Sequence, residues 1–83
     1  MAQQQFNQQN IKKRTSTLVF LKGSTAPLVL YVEHPEALYA ELNQLMKSQS
    51  AAVVEKETQG PLKKVCFIAN QIAALALQEE QYV

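Results

Sequence analysis

Residue types on which enzymes and metal proteins rely are scarce in this 83-residue sequence. It contains one cysteine, one histidine, two glycines, no aspartate and no tryptophan. A single thiol excludes an intramolecular disulfide framework, and one histidine with one cysteine cannot close a tetrahedral zinc site within one chain. With no aspartate and only scattered glutamates, no loop for a hard cation is expected. We therefore expect neither a metal ion nor a cofactor.

The same scarcity argues against catalysis. Phosphate-binding loops need several glycines at fixed spacing, whereas Gly23 and Gly60 each lie in a turn-forming stretch. His34 precedes a proline at an expected helix start, and Cys66 lies in an apolar run where a free thiol is expected to be buried as a small hydrophobic side chain. Nothing in their spacing points to a Cys-His dyad. The sequence therefore predicts a protein that is not an enzyme.

Long apolar runs are also missing. None approaches the roughly 20 residues that a membrane-spanning helix needs. The glutamine-rich start is unlike a secretory signal, and the lone cysteine is typical of a reducing compartment, so we expect a cytoplasmic protein. A chain of this size forms one domain with a thin core, and a second copy is a plausible partner to cover part of its surface.

Charge divides the sequence into two parts. Residues 1–15 are rich in glutamine and carry Lys12, Lys13 and Arg14 without an acid, so we expect a disordered basic arm. Residues 16–83 hold the remaining lysines and all the glutamates, and we expect them to form a single, mildly acidic domain.

Two apolar runs, residues 17–21 and 28–32, are separated by a turn-forming stretch that contains Gly23, and they predict a β-hairpin. Pro27 lacks a donor and suits the start of the second strand. In that strand Leu28, Leu30 and Val32 should share one face, and Val29 and Tyr31 the other.

A helix is predicted from Pro35 to about Ser48. Proline is favoured at the first helical position, and leucines recur at i, i+4 and i+7 along one face that should pack on a sheet. Residues 51–58 and 62–68 then predict a second hairpin around Gly60-Pro61, with Glu55 or Glu57 opposite Lys63 or Lys64. Residues 69–83 are compatible with a helix by composition and with a strand by alternation, and we favour a strand.

Several motifs in this order resemble a family of short uncharacterised cyanobacterial proteins. In that family a Leu-Lys-Gly-x-x-x-Pro-Leu hairpin precedes a helix, and a Lys-Lys-Val strand leads into a last strand. The resemblance implies the order strand, strand, helix, strand, strand, strand over about residues 18–78, and it implies no activity. The residues that carry it are Leu21-Lys22-Gly23, Pro27-Leu28, Leu38-Tyr39, Met46, Ser48, Lys63-Lys64-Val65 and Ile72-Ala73-Ala74.

The sequence thus predicts an α+β fold, an antiparallel sheet of four or five strands with one main helix packed on one face. Because one helix covers little of such a sheet, apolar side chains such as Val19, Val29 and Tyr31 should stay uncovered. We expect a non-enzymatic interaction module or accessory subunit that self-associates. The alternative is a weak nucleic-acid-binding protein that uses the basic arm, whose three cations could neutralise at most about three phosphates. The candidate partner-binding residues are Lys12, Lys13, Arg14, Val29 and Tyr31.

Overall fold

The computed structural model describes residues 11–82, which form an α+β fold with five strands, one α-helix and a single 3₁₀ turn. The predicted fold class and element order are confirmed. The strands form two antiparallel sheets rather than one, and a bridge between Tyr31 and Gln59 joins the sheets. The elements are β1 (Lys12–Leu21), β2 (Leu28–Leu30), α1 (Pro35–Lys47), β3 (Val53–Glu57), β4 (Lys64–Ile68), the 3₁₀ turn (Ala69–Gln71) and β5 (Ile72–Tyr82).

The larger sheet has the order β2-β1-β5. β5 runs antiparallel to β1 from the pair Lys12–Tyr82 to the pair Leu21–Ile72, with one irregularity at Phe20/Leu21. β2 pairs with β1 only around Leu18 because it is three residues long. The strand that we favoured for the last segment is therefore confirmed over Ile72–Tyr82, and residue 83 lies outside the described residues.

The predicted disordered arm, residues 1–15, is wrong for residues 12–15. These residues form the first part of β1 and pair with β5. The prediction of disorder rested on the lack of apolar side chains in this segment. It did not include the backbone hydrogen bonds to a partner strand that lies more than sixty residues away along the chain. Residues 1–10 lie outside the described residues.

α1 confirms the predicted helix to within one residue at its C-terminal end. Pro35 lies in its first turn and Lys47 in its last, where a cation complements the helix dipole. The helix ends without glycine because Gln49 adopts the left-handed conformation, with φ of 55°. The Gln49 N–H donates to the Met46 carbonyl and the Ser50 N–H donates to the Leu45 carbonyl, which together form a Schellman motif.

The core lies between α1, one face of the larger sheet and the inner face of the β3-β4 ribbon. Val19 is fully buried in it, so the expectation that Val19 stays uncovered is wrong. Cys66 is exposed on the outer face of β4, so its predicted burial is also wrong. Successive residues of a strand face opposite sides of the sheet, so a one-residue error in the assumed side exchanges the buried and the exposed face, which explains both outcomes. The buried apolar side chains are Val19, Leu30, Leu38, Leu42, Val54, Val65, Phe67, Ala69 and Ile72.

The second hairpin is confirmed as the β3-β4 ribbon. Glu57 pairs with Lys64, as one of the predicted pairings requires. The Lys64 Nζ also lies 3.4 Å from a carboxylate oxygen of Glu55 on the same solvent-facing side. Its turn contains Gly60, which has a φ of +87°.

Candidate functional site

A polar cluster lies on the larger sheet where β1, the end of β2 and β5 meet. Arg14 is directly opposite Glu80, and Tyr31 follows β2 at the position beside Ser16. We call Arg14, Ser16, Tyr31 and Glu80 the Arg14–Glu80 cluster. Residues opposite each other in antiparallel strands share a face, and faces alternate along a strand. The cluster is therefore on the sheet face turned away from α1, because the neighbouring Thr17 faces the helix and bonds to its Pro35 carbonyl.

Three side chains donate hydrogen bonds to the Glu80 carboxylate. The Arg14 Nε lies 3.0 Å from Oε1, and the Tyr31 hydroxyl lies 3.1 Å from each carboxylate oxygen. The Ser16 hydroxyl, which is fully buried, lies 3.3 Å from Oε2. One carboxylate from β5 thus joins two side chains of β1 to the side chain of Tyr31, which follows β2.

Two aromatic rings flank the Arg14 guanidinium. Its central carbon lies 4.1 Å from the centre of the Tyr31 ring and 5.1 Å from the centre of the Tyr82 ring. Both distances are within the range of a cation–π contact. The charge of Arg14 is therefore matched by Glu80 and flanked by Tyr31 and Tyr82, while the side chain stays 46% exposed.

These contacts set the protonation of the cluster. Partial burial raises the pKa of Glu80, but the hydrogen bonds from Arg14, Tyr31 and Ser16 outweigh it and hold the pKa below its ordinary value. Partial burial, together with the bond to Glu80, raises the pKa of Tyr31. Near neutral pH the carboxylate is ionised and the phenol is protonated, so the cluster is arranged to hold its charges rather than to transfer a proton.

The β3-β4 turn presses against the far side of the cluster. A Cβ added at Gly60 would lie 2.9 Å from Cδ2 of the Tyr31 ring, so the glycine backbone and the ring are in close contact. Tyr31 is therefore held by Arg14 over its ring and by Gly60 at its edge. A groove of about 510 Å³ lies on one side of Tyr31 and is bordered by Lys13 and Gln59.

Next to the cluster the same sheet face is apolar. Leu18, Phe20 and Val29 are half-buried there, and Ala74 and Ala76 lie opposite the two β1 residues. We call these five residues the open face. Within the part of the chain that the structure describes, none of them packs against the buried core.

The predicted site residues separate into two groups. Arg14, Tyr31 and Val29 lie on the face turned away from α1, the first two in direct contact. Lys12, opposite Tyr82, is exposed on the same face of β1 as Arg14, and Lys13, opposite Gln81, is exposed on the other face. The predicted basic cluster is thus interrupted, because Arg14 is engaged by Glu80.

Sequence reasoning missed Ser16 and Glu80 as members of a site. Glu80 lies in the last segment, more than sixty residues from Arg14 and Ser16, and no local pattern links it to β1. One signal could have found the site. The positive charges of Lys12-Lys13-Arg14 and the negative charges of Glu79-Glu80 favour antiparallel pairing of the first strand with the last.

The two residues considered for nucleophilic chemistry are both exposed. The His34 side chain is 79% exposed and its Nε2 lies 3.6 Å from a carboxylate oxygen of Glu33. Cys66 lies on the outer face of the ribbon. Glu55 is directly opposite it on β3, and Ile68 is the next residue on the same face of β4. Among residues 11–82, no group of three or more His, Cys, Asp or Glu side chains is placed to hold a metal ion.

Comparisons with known proteins find no matching family model, and no curated protein or solved structure matches the chain. The resemblance to short cyanobacterial proteins therefore stays a prediction. No helix within residues 11–82 is long and apolar enough to cross a membrane.

Proposed function

We propose that this protein is a non-enzymatic interaction module that self-associates through its three-stranded sheet. The observation that carries the proposal is that this sheet packs on the core by one face only. Its other face keeps the apolar side chains of the open face in contact with water, and on the core-facing side Leu77 of β5, beyond the cover of the helix, is 40% exposed. Exposed apolar surface of this kind on a small domain is typical of a protein interface.

The chemistry of the Arg14–Glu80 cluster supports a binding role rather than a catalytic one. A general acid or base works best with a pKa near the operating pH. The Glu80 pKa moves away from neutrality, and its oxygens are occupied by three donors. The cluster is better suited to fix the shape of the sheet beside the open face.

The nucleic-acid alternative has less support than the sequence suggested. Three cations were expected on a free arm. Arg14 is instead paired with Glu80, and the neighbouring Glu79 of β5 adds a second negative charge nearby. Binding to phosphates depends on cations that are free to replace counterions. Lys12 and Lys13 remain exposed, which is a small positive surface for that purpose.

Light scattering on a size-exclusion column at micromolar concentration tests the proposal. We expect a mass near twice the 9.3 kDa of the chain. Leu77→Lys should lower that mass toward the monomer, since it places a charge on the three-stranded sheet. Val53→Lys is the matched control, because Val53 is 65% exposed on the β3-β4 ribbon. A wild-type monomer at all concentrations would contradict the proposal. The cytoplasmic location stays a prediction from the lone cysteine.

A further inference from the structure

We propose that β5 of one copy pairs edge to edge and antiparallel with β5 of a second copy, so that two three-stranded sheets become one six-stranded sheet. This inference rests on the proposed self-association and names its interface. A two-fold axis perpendicular to the sheet relates the copies, which makes the contact self-complementary. Both α1 helices then lie on one side of the joined sheet, and both open faces lie on the other.

The middle of β5 is an unprotected sheet edge. It is hydrogen-bonded to β1 on one side, and no strand within residues 11–82 pairs with its other side. Native proteins protect edge strands by short length, charges, proline or bulges. The opposite edge of the sheet has such protection, because β2 has three residues and follows Pro27. β5 has eleven residues, and residues 74–78 contain no charge, proline or glycine.

Side-chain chemistry selects the register in which Ala76 is opposite Ala76 of the second copy. Leu75 then lies opposite Leu77 of the second copy, on the face that α1 covers. Leu75 packs partly against the core, whereas Leu77 is 40% exposed beyond it. The pairing gives each exposed Leu77 an apolar neighbour, which is the kind of cross-strand pair that stabilises sheets.

Neighbouring registers are less favourable. If the two-fold axis passes between the two copies of Leu77, Glu79 lies opposite Leu75. If the axis passes between the two copies of Leu75, Leu77 lies opposite Ala73, where the β1-β5 pairing is irregular. An axis at Glu79 or Glu80 would put like charges directly opposite each other, which destabilises strand pairing. Residues 74–78 are thus the segment of β5 that is both regular and free of charge.

Charge complementarity supports the same register. Glu79 and Glu80 of one copy then fall opposite Ala73 and Ile72 of the other. Lys22 lies near that point, because its N–H donates to the Gln71 carbonyl and it lines a cavity of about 480 Å³ with Gln71 and Ile72. Among residues 11–82, neither Lys22 nor Glu79 forms an ion pair within its own copy. The second copy brings these two opposite charges toward each other at both ends of the interface.

Disulfide trapping in the full chain tests the register, with Cys66→Ser as the background. Residues directly opposite in an antiparallel pair have Cα atoms about 4.5–5.5 Å apart, within the range that a disulfide spans. Ala76→Cys should therefore oxidise rapidly to a covalent dimer. Ala74→Cys is the matched control on the same strand and face, since its own counterpart lies about 14 Å away along the strands, four residues at a rise near 3.4 Å. Mixing Ala74→Cys with Gln78→Cys should restore the cross-link.

A second pair of variants separates edge pairing from stacking of the open faces. Leu77→Lys puts a charge into the Leu75–Leu77 contact between the copies, on the face turned toward α1, and should reduce the light-scattering mass to that of one chain, with an unchanged circular dichroism spectrum. Val29→Lys, on the open face, should leave the dimer intact. If the wild type is a dimer that Val29→Lys dissociates, and Ala76→Cys cross-links no faster than Ala74→Cys, the edge pairing is wrong while the proposed function stands. A wild-type monomer overturns both.

Discussion

Gly60 connects the β3-β4 turn to the Arg14–Glu80 cluster, and replacing it tests whether that contact holds Tyr31. Gly60 has a φ of +87°, which side-chain-bearing residues rarely adopt, and an added Cβ would lie 2.9 Å from the Tyr31 ring. Gly23 has a similar φ of +81°, but an added Cβ there would meet nothing within 4 Å. The two substitutions to alanine therefore share a backbone cost and differ in one contact.

The magnitudes follow from the shared backbone cost and the one additional contact at Gly60. The left-handed backbone costs an alanine about 1–2 kcal/mol, so Gly23→Ala should lower the free energy of unfolding by roughly that amount. Gly60→Ala adds a steric overlap with Tyr31, and overpacking of this kind costs about 1–3 kcal/mol more. For a domain of this size, each 1 kcal/mol lowers the melting temperature by about 4–8 °C. Gly60→Ala should thus melt at least roughly 4 °C below Gly23→Ala.

Thermal unfolding followed by circular dichroism provides the measurement. The excess cost of Gly60→Ala should vanish when Tyr31 is also replaced by alanine, because the ring that the new Cβ meets is then gone. This double-mutant cycle isolates the contact from the backbone term. Equal melting temperatures for Gly60→Ala and Gly23→Ala would refute the claim that the turn presses on Tyr31.

Three further outcomes are expected. Leu42 is fully buried, so Leu42→Ala should cost about 2–5 kcal/mol, seen as a lower urea midpoint, and an unchanged midpoint would contradict its place in the core. The folded-state pKa of Glu80 is lowered from 4.5, so its contribution to stability is present above that pH and is lost as the pH falls through the folded value. Glu80→Gln should therefore lose less stability than the wild type on acidification in denaturant titrations, and equal losses would argue against the cluster. The pKa of Tyr31 is raised above 10.0, so Tyr31→Phe should remove a phenol that ionises above that pH in an absorbance titration at rising pH, and an unchanged curve would argue against the bond to Glu80.

The elements of this fold that could be predicted are those with local signals. The helix begins at Pro35 because proline is favoured at the first helical position and Glu36 complements the helix dipole in the first turn. Each hairpin joins runs separated by a short turn. Local hairpins bring together residues that are close in sequence, so turn composition and alternation suffice to place them. The pattern also placed Val29 and Tyr31 on one face of the second strand correctly.

The candidate site could not be predicted in the same way because it is built by the pairing of the first strand with the last. The Arg14–Glu80 hydrogen bond joins residues 66 positions apart. Nothing in either segment alone states that they pair, and a basic, glutamine-rich start has the composition of a disordered tail. The exposure of Cys66 could not be predicted either. It depends on which of the two alternating faces of β4 packs on the core, and a shift of one residue exchanges the buried face for the exposed one.

β5 connects the cluster to the proposed interface. Where β2 ends, the sheet narrows to β1 and β5 alone, and a two-stranded ribbon is marginally stable by itself. The Arg14–Glu80 cluster lies at this narrowing and ties the ribbon to Tyr31, which the Gly60 turn holds in place. β5 is therefore supported along one side for its whole length, while its other side stays open. An edge strand that is ordered along one side in this way is prepared to accept a partner strand, because the entropy of ordering it has already been lost during folding.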